Sequence, residues 1–143
     1  MAGKTALITG CSACGIGHEL AKMLAAKGYT VFATVRTAAK AGDLASTENV
    51  NVLEMDVRDE ASVKSGLAQA GEIDVLVNNA GFEVWGALEE MTVDDIKDQF
   101  ETNVYGPFRL ILGVLPAMRS RGSGVIINVS SVAGRVGAPL NGL

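Results

Sequence analysis

The sequence predicts a doubly wound α/β fold, a parallel sheet in the strand order 3-2-1-4-5 with helices on both faces. Two observations support this prediction. Short runs of Val, Ile and Leu alternate with helix-like stretches along the 143 residues, and these runs are apolar on both faces. Because parallel strands are joined by right-handed crossovers, few topologies fit that alternation. The length suits a single domain over residues 1–143.

The predicted elements follow from hydrophobic spacing and from turn residues at their ends. Apolar runs predict strands over residues 5–9, 30–36, 51–57, 74–77 and 125–129. Helical spacing predicts helices over residues 16–27, 38–45, 59–70 and 92–121. Thr92 and Asp95 form a pattern similar to a capping box at the start of the last helix. Gly106-Pro107 should bend or interrupt that helix.

Charge and composition exclude several functional classes. The net charge of −4 argues against nucleic-acid binding, which needs a basic face. No membrane span is predicted, since Arg109 interrupts the best apolar run at residues 108–118. The start of the chain enters a strand-like run too short for a secretory signal. We therefore expect a cytoplasmic protein.

A glycine-rich turn connects the first predicted strand to the first helix. Backbone N–H groups in such a turn can approach a pyrophosphate, and the helix N-terminus favours its negative charge. The alternative is a tight strand-to-helix turn that binds no ligand. The residues that we expect to contact a cofactor here are Gly10, Ser12, Gly15, Ile16 and Gly17.

The end of the second strand carries a cation rather than an acid. Dinucleotide-binding folds that prefer NAD place an acid there for the ribose 2′-hydroxyl, and this sequence has Val35 followed by Arg36. A guanidinium group suits the additional 2′-phosphate of NADP because it can hold phosphate with two hydrogen bonds. The alternative is an arginine that is simply solvated at the surface. The sequence thus favours NADP(H) over NAD(H).

Polar residues also follow the third and fourth strands. Asp56 and Val57 end the third strand, and Asn79, Ala80 and Gly81 follow the fourth. Ligands of this architecture bind where the carboxyl ends of the parallel strands meet. The aspartate could accept a hydrogen bond from an adenine amino group. The asparagine could hold the strand ends together or line the ribose, although each residue alone could be a loop cap.

Two cysteines in the glycine-rich turn suggest a different chemistry. Cys11 and Cys14 form a C-x-x-C motif with His18 four residues further on, a pattern that could indicate a redox thiol pair or a metal site. The motif offers three ligands at most, and the sequence has no second C-x-x-C. We therefore predict no metal and treat the cysteines as incidental to a nucleotide-binding turn.

Taken together, these motifs resemble the short-chain dehydrogenases/reductases. The resemblance rests on TGCSACGIG at 9–17, DV at 56–57, NNAG at 78–81, ETNVYG at 101–106 and NVSSVAG at 128–134, in the family's order. It implies a Rossmann fold, a nicotinamide dinucleotide cofactor and hydride transfer between NADP(H) and a carbonyl or alcohol. The sequences TGCS at 9–12, FATVR at 32–36 and DVRD at 56–59 are most similar to the branch of the family that acts on steroids, retinoids and lipid-like ketones or alcohols.

The resemblance also assigns catalytic residues. Ser131 would be the serine that hydrogen-bonds the substrate oxygen, with Ser130 as the neighbouring alternative. Asn103 would be the asparagine that holds a proton-relay water through a helix kink. Cys14 stands where some members have a glycine, and four residues rather than three separate the first two glycines. The family's Tyr-x-x-x-Lys motif would begin at position 144, so we expect the domain to be incomplete at its C-terminus.

The expected partners follow from the same resemblance. They are a small, apolar carbonyl or alcohol substrate and, in the complete protein, further copies of the chain. The alternative function is a catalytically inactive nucleotide-binding or regulatory module, which would keep the cofactor site without the chemistry.

Overall fold

The computed structural model, which describes residues 3–137 and 139–140, contains a five-stranded parallel sheet in the order β3-β2-β1-β4-β5. This confirms the predicted fold class and strand order. The strands are β1 (Thr5–Ile8), β2 (Thr30–Val35), β3 (Val50–Glu54), β4 (Val75–Asn78) and β5 (Val125–Asn128). In the register, Ala6 of β1 lies opposite Val31 of β2 and Val75 of β4. Three consecutive residues are buried in both β1 and β4, so these strands are covered on both faces, as expected for parallel strands.

Helices cover the two faces of the sheet. They are α1 (Ile16–Ala26), α2 (Glu60–Ala70), α3 (Val93–Phe100) and α4 (Gly106–Arg121). Ile8 belongs to the core cluster under α1, whereas Leu7 belongs to the cluster under α2 and α4. Successive strand side chains alternate in this way between the two layers. Within the described residues, no helix combines the length and apolarity needed to cross a membrane.

Side-chain caps fix the starts of two helices. The Asp59 carboxylate accepts hydrogen bonds from the backbone N–H groups of Ala61 and Ser62 at the start of α2. At the start of α3, Thr92 and Asp95 form the complete reciprocal capping box, which confirms that prediction. Each cap satisfies backbone donors that would otherwise lack a partner in the first helical turn.

The structure differs from the predicted elements in two places. Residues 38–45 do not form an α-helix but two 3-10 turns, Ala38–Lys40 and Gly42–Ser46. Gly42, the first residue of the second turn, has a φ of 59°, which is not helical and separates it from the first turn. The third strand ends at Glu54 rather than Val57, because the Asp56 N–H donates to the Ser62 hydroxyl instead of to a neighbouring strand.

The predicted interruption near Gly106-Pro107 takes the form of a π turn. This turn covers Glu101–Tyr105 and joins α3 directly to α4. Pro107 then falls in the first turn of α4, where it has no N–H to donate to the carbonyl groups of the π turn. The interruption therefore lies before the glycine and the proline. π turns of this kind occur often at functional sites.

Candidate functional site

A cleft of about 630 Å³ opens at the carboxyl ends of β1 to β4. Its walls bring together ten of the eleven residues predicted to contact a cofactor. These are Gly10, Ser12, Gly15, Ile16, Arg36, Asp56, Val57, Asn79, Ala80 and Gly81. The eleventh, Gly17, is buried behind the glycine-rich turn. Ten of the predicted residues therefore share one site, although they range from position 10 to position 81 of the sequence.

Two glycines allow the turn after β1 to approach the turn after β4. Gly10 has a φ of 72°, and a Cβ at this position would lie 2.7 Å from the Ala80 Cα. A Cβ at Gly17 would lie 2.5 Å from the Asn79 Nδ2 and 2.8 Å from the Gly10 carbonyl oxygen. Side chains at these positions would separate the two turns or displace them. The glycines thus shape the wall that a bound phosphate would contact.

Thr9 and Asn79 tie these turns together. The Thr9 hydroxyl accepts hydrogen bonds from the N–H groups of Asn79, at 3.0 Å, and Ala80, at 2.9 Å. In return, the Asn79 amide donates to the carbonyl oxygens of Thr9, at 2.8 Å, and Gly10, at 3.2 Å. Asn79 was predicted either to hold the strand ends together or to line the ribose, and these hydrogen bonds support the first role. Thr9 was not predicted, because its partners lie about seventy residues away.

The N-terminus of α1 adds a favourable electrostatic environment. Gly15 caps the helix, and it has no side chain that could cover the first backbone N–H groups. Gly15 and Ile16 both line the cleft. The positive end of the helix dipole therefore lies beside the glycine-rich turn, as an anion-binding site requires.

The far end of the cleft carries two cations and one acid. Arg36 follows β2, and Asp56 and Arg58 follow β3. The Arg58 guanidinium hydrogen-bonds the Asp56 carboxylate and holds the pKa of that carboxyl below its usual range. The more distant Arg36 lowers that pKa further by its charge. Arg58 was not predicted from the sequence.

Residues of α4 support the neighbouring Val57. A Cβ at Gly106 would lie 2.7 Å from the Val57 Cγ2, so the helix packs directly on this residue. Arg109 donates to the Val57 carbonyl oxygen at 3.4 Å and binds the Glu101 carboxylate at 2.9 Å. The ion pair spans the π turn and so connects it to the floor of the cleft.

Asn103 lies in the π turn and holds the loop after β4. Its side-chain oxygen accepts from the Phe82 N–H at 3.0 Å, and its side-chain nitrogen donates to the Phe82 carbonyl at 2.7 Å. Gln99 acts similarly one turn earlier, accepting from the Val84 N–H at 2.8 Å. Both ends of the Asn103 amide are therefore engaged by backbone. The amide positions the loop bordering the cleft, while the predicted water would have to bind the π-turn backbone.

Ser131 lies beyond β5, at the same edge of the sheet as the cleft. The β5 strand pairs with β4, and the Val129 N–H donates to the Asn78 carbonyl at 2.9 Å. The Ser131 side chain is exposed, and its hydroxyl accepts from the Ala133 N–H at 3.1 Å. The hydroxyl hydrogen thus stays available to another acceptor. Neither Ser131 nor Asn103 belongs to the walls of the 630 Å³ cleft.

Comparison with known proteins identifies the family. The model of the short chain dehydrogenase family matches residues 4–143. The chain belongs to this family.

Two curated relatives are retinol dehydrogenase 8 of Bos taurus, 42% identical over 96% of this chain, and human 17-beta-hydroxysteroid dehydrogenase type 1, 37% identical over 99%. Their names agree with the predicted resemblance to the steroid and retinol branch. The chain spans about half the length of these relatives, 47% of each. A solved serine dehydrogenase complexed with NADP+ superposes with a TM-score of 0.87 at 31% identity, covering 95% of this chain and 57% of that one.

The cysteines of this short-chain dehydrogenase do not have the environment of a redox pair. Cys11 is completely buried, and its thiol donates to the Ile8 carbonyl oxygen. Burial raises the pKa of the Cys11 thiol to about 12. A thiol with such a pKa is a poor nucleophile and a poor metal ligand at neutral pH. In the described part of the chain, no three His, Cys, Asp or Glu side chains group closely enough to hold a metal.

Cys14 is strained in the glycine-rich turn of this family member. Its φ of 64° lies in the left-handed region, which favours glycine. We therefore expect Cys14→Gly to raise the free energy of unfolding by about 0.5–1 kcal/mol. Relief of the left-handed strain gains roughly 1–2 kcal/mol, but glycine also increases the conformational entropy of the unfolded chain, which offsets part of that gain. Urea unfolding of the variant measures the effect.

Asn49 provides the control for this prediction. Its φ is 63°, but asparagine tolerates the left-handed region, so Asn49→Gly should change the unfolding free energy little. Destabilisation by Cys14→Gly would contradict the expected strain. Weaker cofactor binding by the variant would show that the cysteine contributes to the site.

Proposed function

We propose that the protein carrying this chain is an oxidoreductase that transfers hydride between NADP(H) and a carbonyl or alcohol substrate. The observation that carries the proposal is the convergence of ten motif residues on one cleft at the carboxyl ends of the strands. The family supports a nicotinamide cofactor, and the NADP+ complex of a similar serine dehydrogenase supports the phosphorylated form. When bound, the nicotinamide would supply or accept the hydride.

The residues present fit a dinucleotide. The glycine-rich turn has no side chain at Gly10 or Gly17 to exclude the pyrophosphate, and the N-terminus of α1 favours its charge. Asp56, held ionised by Arg58, can accept from the adenine amino group at the end of β3. Arg36 is exposed at the end of β2 and can reach a 2′-phosphate.

The substrate would enter beside apolar side chains. Phe82 and Trp85, in the loop after β4, are 44% and 63% exposed, and Val132 beyond β5 is 75% exposed. The Gly86 N–H donates to the Leu140 carbonyl at 3.1 Å, which joins the two loops. This apolar border favours an apolar substrate, with the Ser131 hydroxyl donating to its reacting oxygen. Asn103 would position the loop that carries Phe82.

The complete protein would form a homo-oligomer through the exposed face of α4. Phe108 and Leu112 lie one helical turn apart on that face and are 57% and 55% exposed. Together with Val104 of the preceding π turn, they form an apolar stripe of the kind that subunit interfaces cover.

Purified complete gene product tests the function directly. We expect it to bind NADPH and to oxidise it in the presence of an apolar ketone or aldehyde, measured by nicotinamide absorbance. Binding of NADPH without turnover of any carbonyl or alcohol substrate would favour the alternative of a regulatory nucleotide-binding module. Failure to bind either nicotinamide cofactor would contradict both.

The cofactor preference is tested by Arg36→Asp. A charge-assisted hydrogen bond is worth about 1.5–3 kcal/mol, so its loss should raise the Kd for NADPH by about 10- to 150-fold. The new carboxylate should also accept from the ribose hydroxyls of NADH, which reverses the preference. Fluorescence titration with both cofactors measures the change.

Arg119→Asp is the matched control for this substitution. Arg119 is exposed in the last turn of α4, outside the cleft, so the same change of charge should leave the preference intact. Equal affinity for NADPH and NADH, both before and after Arg36→Asp, would contradict the role of Arg36.

A further inference from the structure

The end of β3 carries a cation that the cofactor motifs do not explain. Arg58 lines the same cleft as Arg36 and Asp56. Its guanidinium group binds the Asp56 carboxylate in two places, with Nη2 at 2.7 Å from Oδ2 and Nε at 3.1 Å from Oδ1. The Arg58 backbone N–H also donates to Oδ1, at 3.0 Å. One residue thus holds the carboxylate by both its backbone and its side chain.

The turn that carries this ion pair is fixed by the start of α2. The Asp56 N–H donates to the Ser62 hydroxyl at 3.0 Å, and the Asp59 N–H donates to the Asp56 carbonyl at 3.1 Å. Asp59 in turn caps α2. The backbone on both sides of the Asp56 side chain is therefore held in place. The Asp56 carboxylate therefore extends from a fixed turn, and the Arg58 side chain, 41% exposed, folds back onto it.

The charges at this end of the cleft have a consequence for the ligand. Arg36 and Asp56 interact electrostatically, so an unpaired Asp56 would offset the positive charge of Arg36. With Arg58 present, two guanidinium groups and one carboxylate line this end of the cleft, and the net charge of the three groups is positive. A ribose 2′-phosphate, which carries nearly two negative charges, needs such a surplus.

We propose that Arg58 is a specificity-determining residue that neutralises Asp56 and thereby leaves the charge of Arg36 available to a phosphate on the cofactor ribose. The inference rests on the proposed function, in which the cleft takes a nicotinamide dinucleotide. Arg58 then acts through Asp56 and need not touch the phosphate. Its contribution is to the choice between NADPH and NADH, not to hydride transfer.

Titration of the complete gene product with NADPH and NADH at low salt tests the role of Arg58. We expect Arg58→Gln to raise the Kd for NADPH about fivefold, because the unpaired Asp56 then opposes both Arg36 and the phosphate. The Kd for NADH should change by less than about twofold, since that cofactor has no charged group beyond the pyrophosphate. Arg58→Lys retains the charge and should keep the native ratio of the two constants.

Lys27→Gln is the matched control. Lys27 is exposed after α1, at the opposite edge of the sheet, and its substitution removes the same charge. The ratio of the two dissociation constants should therefore stay native. A rise in the Kd for NADPH relative to that for NADH equal to the rise in Arg58→Gln would indicate a general effect of net charge and overturn the proposal.

The double variant Asp56→Asn with Arg58→Gln separates neutralisation from direct contact. Both charges of the pair are then absent, so the ratio of the NADPH and NADH constants should return to the native value even if both affinities fall. If the Kd for NADPH relative to that for NADH stays as high as in Arg58→Gln, Arg58 itself contacts the phosphate, which overturns the proposal. An unchanged NADPH affinity in Arg58→Gln also overturns it. Native protein that binds neither cofactor overturns the proposed function as well.

Discussion

Ser131→Ala should lower kcat by about 10²–10³-fold, the loss typical of removing one hydrogen-bond donor to a developing oxyanion. The Ser131 hydroxyl lies beyond β5 at the edge of the sheet that carries the cleft, and its oxygen already accepts from the Ala133 N–H. The hydroxyl hydrogen is not used in that contact, so in the proposed function it can be donated to the substrate oxygen. Steady-state kinetics with NADPH and an apolar carbonyl compound measure kcat and KM separately.

Ser130→Ala is the control for this prediction. Ser130 is also exposed, directly before Ser131, so the two substitutions remove the same group one position apart. Alternating direction along an extended chain places the two hydroxyl groups on different sides. We expect Ser130→Ala to keep kcat within about threefold, a change too small for the loss of an oxyanion donor. The opposite result would shift the catalytic assignment to Ser130.

Much of the fold could be predicted from the sequence because a parallel sheet imposes a distinctive pattern. Its strands are apolar on both faces, and its crossovers have one hand, so the alternation of elements restricts the strand order. The 3-10 turns over Ala38–Lys40 and Gly42–Ser46 escaped prediction, because an Ala-rich composition favours a helix and does not show the backbone angle of Gly42. The early end of β3 depends on the hydrogen bond between Asp56 and Ser62, which the pattern of apolar residues cannot reveal.

The candidate site was predictable for a related reason. Residues that follow parallel strands meet at one edge, so Arg36, Asp56 and Asn79 could be placed together without knowing any distance. Residues that act across the structure were harder to find. The partners of Thr9 lie about seventy residues further on, and those of Gln99 and Asn103 lie in the loop after β4. The positioning role of such a polar side chain can be recognised only when the backbone groups that it hydrogen-bonds are known.

The largest expected effect on stability is that of Gly10→Ala. At a φ of 72° an alanine costs roughly 1–2 kcal/mol, and its Cβ would lie 2.7 Å from the Ala80 Cα, where backbone rather than a flexible side chain must yield. Overpacking of this kind typically costs a further 1–3 kcal/mol. We therefore expect the free energy of unfolding to fall by about 3 kcal/mol, measured by urea unfolding.

Gly122→Ala isolates the contribution of the close contact. Gly122 has nearly the same φ, 68°, but a Cβ there would meet no atom within 4 Å. Its substitution should cost only the backbone term of about 1 kcal/mol. The remaining 2 kcal/mol or so in Gly10→Ala would then measure the contact between the turns after β1 and β4. Because Gly10 and Ala80 both line the cleft, the same variant should lose affinity for NADPH while Gly122→Ala retains it. Equal destabilisation by the two substitutions would show that the turns can separate at no cost, and that their close approach does not shape the binding site.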